Sequence, residues 1–386
     1  MRATNLANQF AAHGYQATIL VTKEMSQQPY YQADRTVELV SLRQFVEEHS
    51  TDHVILKDAE ARQKRIRNLK RVRLLLRGIH RFDLRLQNEV AGIRRSEALR
   101  KYLLQNGDSI LIPFGYACYE MAIFASQGLN CKLVYAERNA AELECPSGAE
   151  EREFAFKLLQ KADGAVLQTQ DEMDFYRACG WKNAAVIHNP IRPGLPAPWQ
   201  GARRNTVVNF CRVSKQKNLP LLIEAFERFH RDYSAYTLEI YGNVVSEEEE
   251  ALLAEIRESV KNAGQEAYIR LLPSAADVHE RVKDCAMFVS SSDYEGLSNS
   301  MIEAMAIGLP CVCTDCLGGG AREMIEDGEN GLLVPRGDVN SLYLGMKKMA
   351  NDKALAERCG NNAAKNREEM GAASIGNRWI QLIERI

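Results

Sequence analysis

The chain has 386 residues, 46% of them hydrophobic and 26% charged, with a formal net charge of -2. That is enough for two ordinary domains, each with its own core, and the balance is that of a soluble globular protein. No apolar run approaches a membrane span and the N-terminus lacks the apolar segment of a signal peptide, so a cytoplasmic location is expected.

Met1 to Gly14 reads as a helix with Leu6, Phe10 and Ala11 on one face, and Ala17 to Val21 as a strand. A doubly wound domain usually opens with a strand and a glycine-rich turn ahead of its first helix. Here both are missing, so either translation starts at Met1 or the reading frame is longer. Val37–Val40 and His53–Leu56 read as further strands. Residues 62–101 then carry fourteen basic and three acidic residues. Leu69, Val72, Leu74, Leu75, Leu76 and Ile79 interleave with that charge. The pattern suits an amphipathic helix on an anionic membrane face, or against an acidic acceptor, as well as a solvated helix face with no partner. No nucleic-acid-binding pattern accompanies it, so nucleic acid is not an expected partner.

Ser109–Gly115 reads as a buried strand, Ala117–Gln127 as a helix and Lys132–Tyr135 as a strand. Glu137, Arg138 and Asn139 follow at its carboxyl end, the side on which open α/β sheets bind ligands. Gly164–Thr169 and Ala184–Pro190 are further strand segments. Pro190 to Gln200 holds four prolines and a glycine, the composition of a linker. The expected domains are 1–190, a linker at 191–203, 204–370, and a C-terminal helix at 371–386 packing back on the first domain.

Beyond the linker, Thr206–Cys211, Thr237–Gly242, Tyr268–Leu272, Ala286–Val289, Cys311–Asp315 and Leu332–Val334 read as strands alternating with helices. This is the pattern of a parallel sheet covered on both faces. Ser246 and Glu249 have capping-box spacing. The strand at 286–289 runs into Ser291-Ser292-Asp293-Tyr294-Glu295-Gly296-Leu297-Ser298-Asn299-Ser300 and then an Ala/Met-rich helix carrying Glu303. A strand, a tight polar turn and a helix N-terminus make an anion site. Phosphate repels carboxylates, so Glu295 and Glu303 read as acceptors for sugar hydroxyls beside it. Equally, Ser300 and Glu303 have the spacing of a capping box, with Glu295 a solvated loop residue. Gly318, Gly319 and Gly320 could let the backbone approach a ligand closely. Of ten cysteines, Cys118, Cys211, Cys285, Cys311 and Cys313 lie in apolar segments and read as reduced core thiols. Cys311, Cys313 and Cys316 have no second cysteine pair or nearby histidine, so no metal site is expected.

Taken together, Glu295 and Glu303 in Glu-x7-Glu spacing, Arg212 and Lys217 five apart, Gly319-Gly320-x-x-Glu323 and Asp327-Gly328-x-x-Gly331 resemble the GT-B retaining glycosyltransferases of family four (group 1), with residues 206–340 in register. Ala136-Glu137-Arg138-Asn139 and Ile187-His188-Asn189-Pro190 are similar to segments of its bacterial polysaccharide-building branch. Many relatives place a histidine in the Glu137 region. The resemblance implies an α/β GT-B fold, two Rossmann-like doubly wound domains facing a central cleft, with the N-terminal one lacking its first strand. It implies transfer of a sugar from a nucleotide sugar, UDP-linked, to a hydroxyl of a growing glycan with retained configuration, and the basic stretch suggests that this glycan is lipid-linked. Arg212 and Lys217, with the amides of Leu297, Ser298, Asn299 and Ser300, would stabilise the leaving diphosphate without a metal or other cofactor. Glu303 would hold the ribose and Glu295 a donor-sugar hydroxyl. Gly296, Gly319 and Gly320 would border the donor, and Glu137, Arg138 and Asn139 the acceptor side. The basic stretch would hold the protein peripherally on the inner membrane face. A nucleotide-sugar 2-epimerase of the same fold, or a truncated non-catalytic binding protein, are the alternatives.

Overall fold

The computed structural model describes residues 2–21, 33–42, 45, 95–144, 149–178, 180–181 and 183–386. The strand expected at 53–56 and most of the basic stretch, residues 62–94, lie outside them. The chain divides into two compact units. One is Met1–Ala136 with Pro146–Ala165 and Ile383–Ile386; the other is Glu137–Cys145 with Val166–Leu382.

In the first unit the opening helix is Arg2–Ala12, and Ala7 packs with Ala17 and Val37. Strands β1 (Thr18–Val21) and β2 (Glu38–Ser41) pair in parallel. A second parallel pair joins β3 (Ser109–Leu111) to β4 (Cys131–Ala136). The strand expected to reach Gly115 stops at Leu111, because Pro113 has no N–H to donate. Pairing resumes beyond it, where the Gly115 N–H donates to the Ala136 carbonyl at 2.9 Å. Tyr119, from the helix Tyr116–Ser126, is fully buried, donates to the Leu158 carbonyl at 2.9 Å and meets Tyr135 edge-on. Strand β5 (Gly164–Leu167) runs across the division into the second unit, which holds β6 (Ala184–Val186).

The second unit holds a six-stranded parallel sheet of β7 (Arg204–Arg212), β8 (Thr237–Asn243), β9 (Ile269–Pro273), β10 (Cys285–Ser290), β11 (Cys311–Asp315) and β12 (Leu332–Pro335). Side chains alternate between its faces, as the period of two requires. Val207, Met287, Val289 and Val312 join a cluster under the helices Leu219–Asp232, Glu247–Asn262 and Val339–Asn351. Val208, Phe210, Phe288 and Cys313 join another under Val278–Val282 and Asn299–Ala306. The sheet is covered on both faces, which is why its strands read as continuous apolar runs.

The order β9-β8-β7-β10-β11-β12 means that the chain grows outward in one direction from β7 and then returns to start again at β10. Ligands of such sheets bind where the order reverses, outside the carboxyl ends of the strands. The loops after β7 and β10 are therefore the ones to inspect. Phe226 is fully buried in the first cluster, so Phe226→Ala is expected to cost about 3–5 kcal/mol in chemical denaturation. Val245→Ala, at a position 66% exposed, should stay within about 0.5 kcal/mol of the parent.

Candidate functional site

The loop after β7 ends in a 3-10 turn, Lys215–Lys217, and then Asn218, whose φ of 42° is left-handed. Asparagine tolerates that conformation, and here its side chain accepts from Leu221 N–H to cap the helix Leu219–Asp232. The same side chain donates to Asp293 Oδ1 at 3.1 Å. Asp293 N–H donates to the Gln216 carbonyl at 2.9 Å, Gln216 Nε2 to the Tyr294 carbonyl at 2.8 Å, and Ser291 Oγ to the Lys217 carbonyl at 2.8 Å. Four side-chain and backbone bonds thus join the two loops.

Their product is an ion pair. Lys217 Nζ lies against Glu295 Oε1, with the side chains only 14% and 12% exposed, and Ser292 Oγ donates to the same oxygen at 3.2 Å. Burial alone would lower the Lys217 pKa, but the Glu295 carboxylate outweighs it and holds the ammonium above its usual range. Glu295 is a buried partner, so the reading of it as a solvated loop residue does not hold.

The helix Asn299–Ala306 starts four residues on. Ser298 is its N-cap and makes no side-chain cap bond, its Oγ lying instead 3.2 Å from Ser300 Oγ. Ser300 is the second helical residue, so the capping box with Glu303 does not form. The first-turn amides are left without a serine cap, with the positive end of the helix behind them. The Leu297 N–H, one of the amides expected to face a diphosphate, is already committed to Gln168 Oε1 at 3.0 Å. Glu303 is buried one turn in, with Oε2 2.9 Å from His279 Nε2. The His279 ring meets Phe210 edge-on at 5.2 Å.

The three glycines have a nearer neighbour than any ligand. A Cβ on Gly318 would lie 2.1 Å from the Glu295 carbonyl oxygen, and one on Gly320 would lie 1.7 Å from that of Gly296. The two segments run backbone against backbone, joined by the Glu295 N–H to Leu317 carbonyl bond at 2.9 Å. Gly319 would meet the Asp171 carboxylate at 2.6 Å. Chain packing alone therefore requires glycine here.

Glu137 is fully buried and accepts from Tyr176 OH at 2.5 Å and from the Arg138 N–H at 2.7 Å. It holds its own loop. Arg138 donates to Asn189 Oδ1 at 3.3 Å, and the Asn139 backbone lies beside Gly296. Arg212 is half exposed at the end of β7 and pairs with Glu249 at 3.1 Å, apart from the Lys217–Glu295 pair. Ser246 accepts from the Glu249 N–H as its capping-box spacing suggests, but Glu249 reaches back to Val245 N–H with its other oxygen.

Several polar partners carry no signal in the sequence. His188 Nε2 lies 2.9 Å from Glu323 Oε1, while Gln170 N–H donates to the other oxygen at 2.9 Å. Arg322 bridges Asp171 and Asp315, both at 2.7 Å. Apart from Arg322 and Asp315, these partners are far apart in the chain and share no helical or strand register. Among the described residues no group of histidines, cysteines and carboxylates has the arrangement of a metal site. Burial pushes the Cys316 thiol up to about 12, so it stays protonated.

Residues 200–366, which carry Lys217, Glu295 and Glu303, match the family of glycosyl transferases group 1. The chain is 36% identical over 157 residues to the N-acetylgalactosamine-N,N'-diacetylbacillosaminyl-diphospho-undecaprenol 4-alpha-N-acetylgalactosaminyltransferase of Campylobacter jejuni, covering 41% of this chain and 40% of that one. It is 25% identical over 288 residues to the poly(ribitol-phosphate) alpha-N-acetylglucosaminyltransferase of Staphylococcus aureus, covering 74% and 57%. The chain therefore spans roughly half the length of these curated relatives. Among solved structures, sucrose-phosphate synthase of Thermosynechococcus elongatus superposes with a TM-score of 0.75 at 17% identity, over 98% of this chain and 91% of that one. Anabaena HepE in complex with UDP does so with a TM-score of 0.66 at 19% identity, over 76% and 82%. The fold is GT-B, of α/β class with parallel, Rossmann-like sheets.

The hydrogen bond from His188, opposed by burial and helped by the Gln170 amide, holds the Glu323 carboxyl below the ordinary glutamate value of 4.5. A depressed carboxyl stabilises the fold fully above its unfolded pKa and loses that contribution as pH falls through the folded value. Glu323→Gln should therefore flatten the decline of stability on the acid side of 4.5. Denaturant midpoints between neutral and acidic pH measure this; parallel curves for parent and variant would contradict it.

Proposed function

We propose that the protein is a retaining glycosyltransferase of family four that moves a sugar from a UDP-sugar to a hydroxyl of a growing, lipid-linked glycan. One observation carries the reading: the buried Lys217–Glu295 pair stands at the reversal of strand order, directly ahead of a helix whose first turn lacks a serine cap. In this reading the leaving diphosphate gathers negative charge as the glycosidic bond breaks. Lys217 and the amides at the start of Asn299–Ala306 stabilise it, with no divalent cation required. Arg212 adds to this on release from Glu249. Glu295 accepts from a donor-sugar hydroxyl, and Glu303, oriented by His279, accepts from the ribose. With no nucleophile assigned, the leaving phosphate itself takes the acceptor proton on the same face.

The neighbours support a UDP-linked donor. HepE has been crystallised with UDP and UDP-glucose, and the pneumococcal O-GlcNAc transferase GtfA with UDP and GlcNAc. The lipid-linked acceptor is supported by the diphospho-undecaprenol named for the Campylobacter relative and by the basic residues of 62–101. Among the described residues no helix is long and apolar enough to cross a membrane, so the attachment proposed is peripheral.

A nucleotide-release screen over UDP-, GDP- and ADP-sugars, with and without glycan acceptors, tests the reaction. Lys217→Ala and Glu303→Ala, checked for folding by thermal melts, are expected to lower kcat/KM by about 10²–10³-fold. Unchanged rates in both would refute the assignment. The membrane part is read by flotation, where the protein should rise with vesicles containing anionic lipid and stay behind with neutral ones.

A further inference from the structure

Gln168 and Thr169, just past the end of β5, are fully buried polar side chains to which the proposed reaction gives no role. Gln168 Oε1 accepts the Leu297 N–H at 3.0 Å, while its Nε2 donates to Asn189 Oδ1 at 2.7 Å. Asn189 Nδ2 completes the ring by donating to the Leu297 carbonyl at 3.3 Å. The amide and the carbonyl of one residue are thus gripped by two side chains that also bond each other. Thr169 Oγ1 donates to the Gly318 carbonyl at 2.8 Å, in the segment that lies backbone to backbone against Glu295. Arg138 reaches the same Asn189 oxygen. Buried amides persist where their hydrogen bonds are satisfied, and these bonds are aimed at the backbone of the loop carrying Glu295.

We propose that Gln168 and Asn189 are positioning residues, a clamp that fixes the Leu297 backbone. Glu295 lies two residues before Leu297 and the first helical residue, Asn299, two residues after it. Rotation of this segment would swing the carboxylate away from Lys217 and tilt the first-turn amides. The clamp touches no substrate and acts through the chain it holds. Its catalytic consequence rests on the glycosyltransferase reading above; its existence as a clamp does not.

Gln168→Met and Asn189→Leu keep side-chain volume close while removing the bonds. Hydrogen exchange by mass spectrometry over residues 293–301, UDP titration and donor kinetics are measured on the parent, both variants and the double variant. Each single change should speed exchange in that segment about tenfold and raise the UDP Kd and donor KM about tenfold, with the global melt little changed. The double variant should be no worse than the more severe single one, because the two side chains act as a unit. Gln168→Leu, which removes the same bonds without burying a charge beside Glu172, serves as the second variant if Gln168→Met does not fold. Exchange unaltered in 293–301 overturns the clamp. Faster exchange with parental UDP affinity and kinetics overturns its positioning role. If the parent binds no nucleotide donor, the transferase reading fails and exchange alone decides the clamp.

Discussion

A lysine ammonium carried into a protein interior must meet an anion, and the second unit is arranged around one such meeting. An unpaired buried charge costs several kcal/mol even after the surroundings relax. Lys217 and Glu295 can therefore leave each other only if another charge replaces the partner or water enters. The loops that carry them follow β7 and β10, neighbours in the sheet but far apart in the chain. The left-handed Asn218 and its bonds to Asp293 hold those loops in register. Arg212 is the contrast: half exposed, its pair with Glu249 belongs to a class worth about 0–1 kcal/mol. Lys217 is thus fixed, while Arg212 is easily exchanged.

The second constraint is steric. Glu295 and Gly296 are pressed against Gly318 and Gly320, while the far side of Gly296 faces Gln168 Oε1, 2.6 Å from where a Cβ would sit. The loop is confined between a glycine-lined segment and a buried amide cluster. Side-chain chemistry enters at its ends, through Glu295 at one and the serines and asparagine of 298–300 at the other.

The strands were legible because a parallel sheet covered on both faces needs unbroken apolar runs, such as Val207-Val208 and Phe288-Val289, bounded by polar turns. The glutamates were legible as a spacing. Their partners were not. His279 meets Glu303 from 24 residues away, and Gln168 meets Leu297 from 129 residues away, with no periodicity to announce either. The Ser300–Glu303 spacing suggests a cap, and only the helix start shows that Ser298 has that position and leaves it unused. Glu137 sits where ligands are expected, yet burial turns it into a support for its own loop. At Gly318 and Gly320 the close approach of the protein's own backbone was equally invisible in the sequence.

That backbone contact also limits how such a chain can diversify. A side chain at Gly318 or Gly320 would collide with carbonyl oxygens that have no room to retreat, so single substitutions there are closed to drift and to laboratory selection alike. Variation in the loop is channelled into Asn299 and Ser300, which are only partly buried at the start of the helix. A library over this loop would explore those two positions and leave Gly318 and Gly320 untouched.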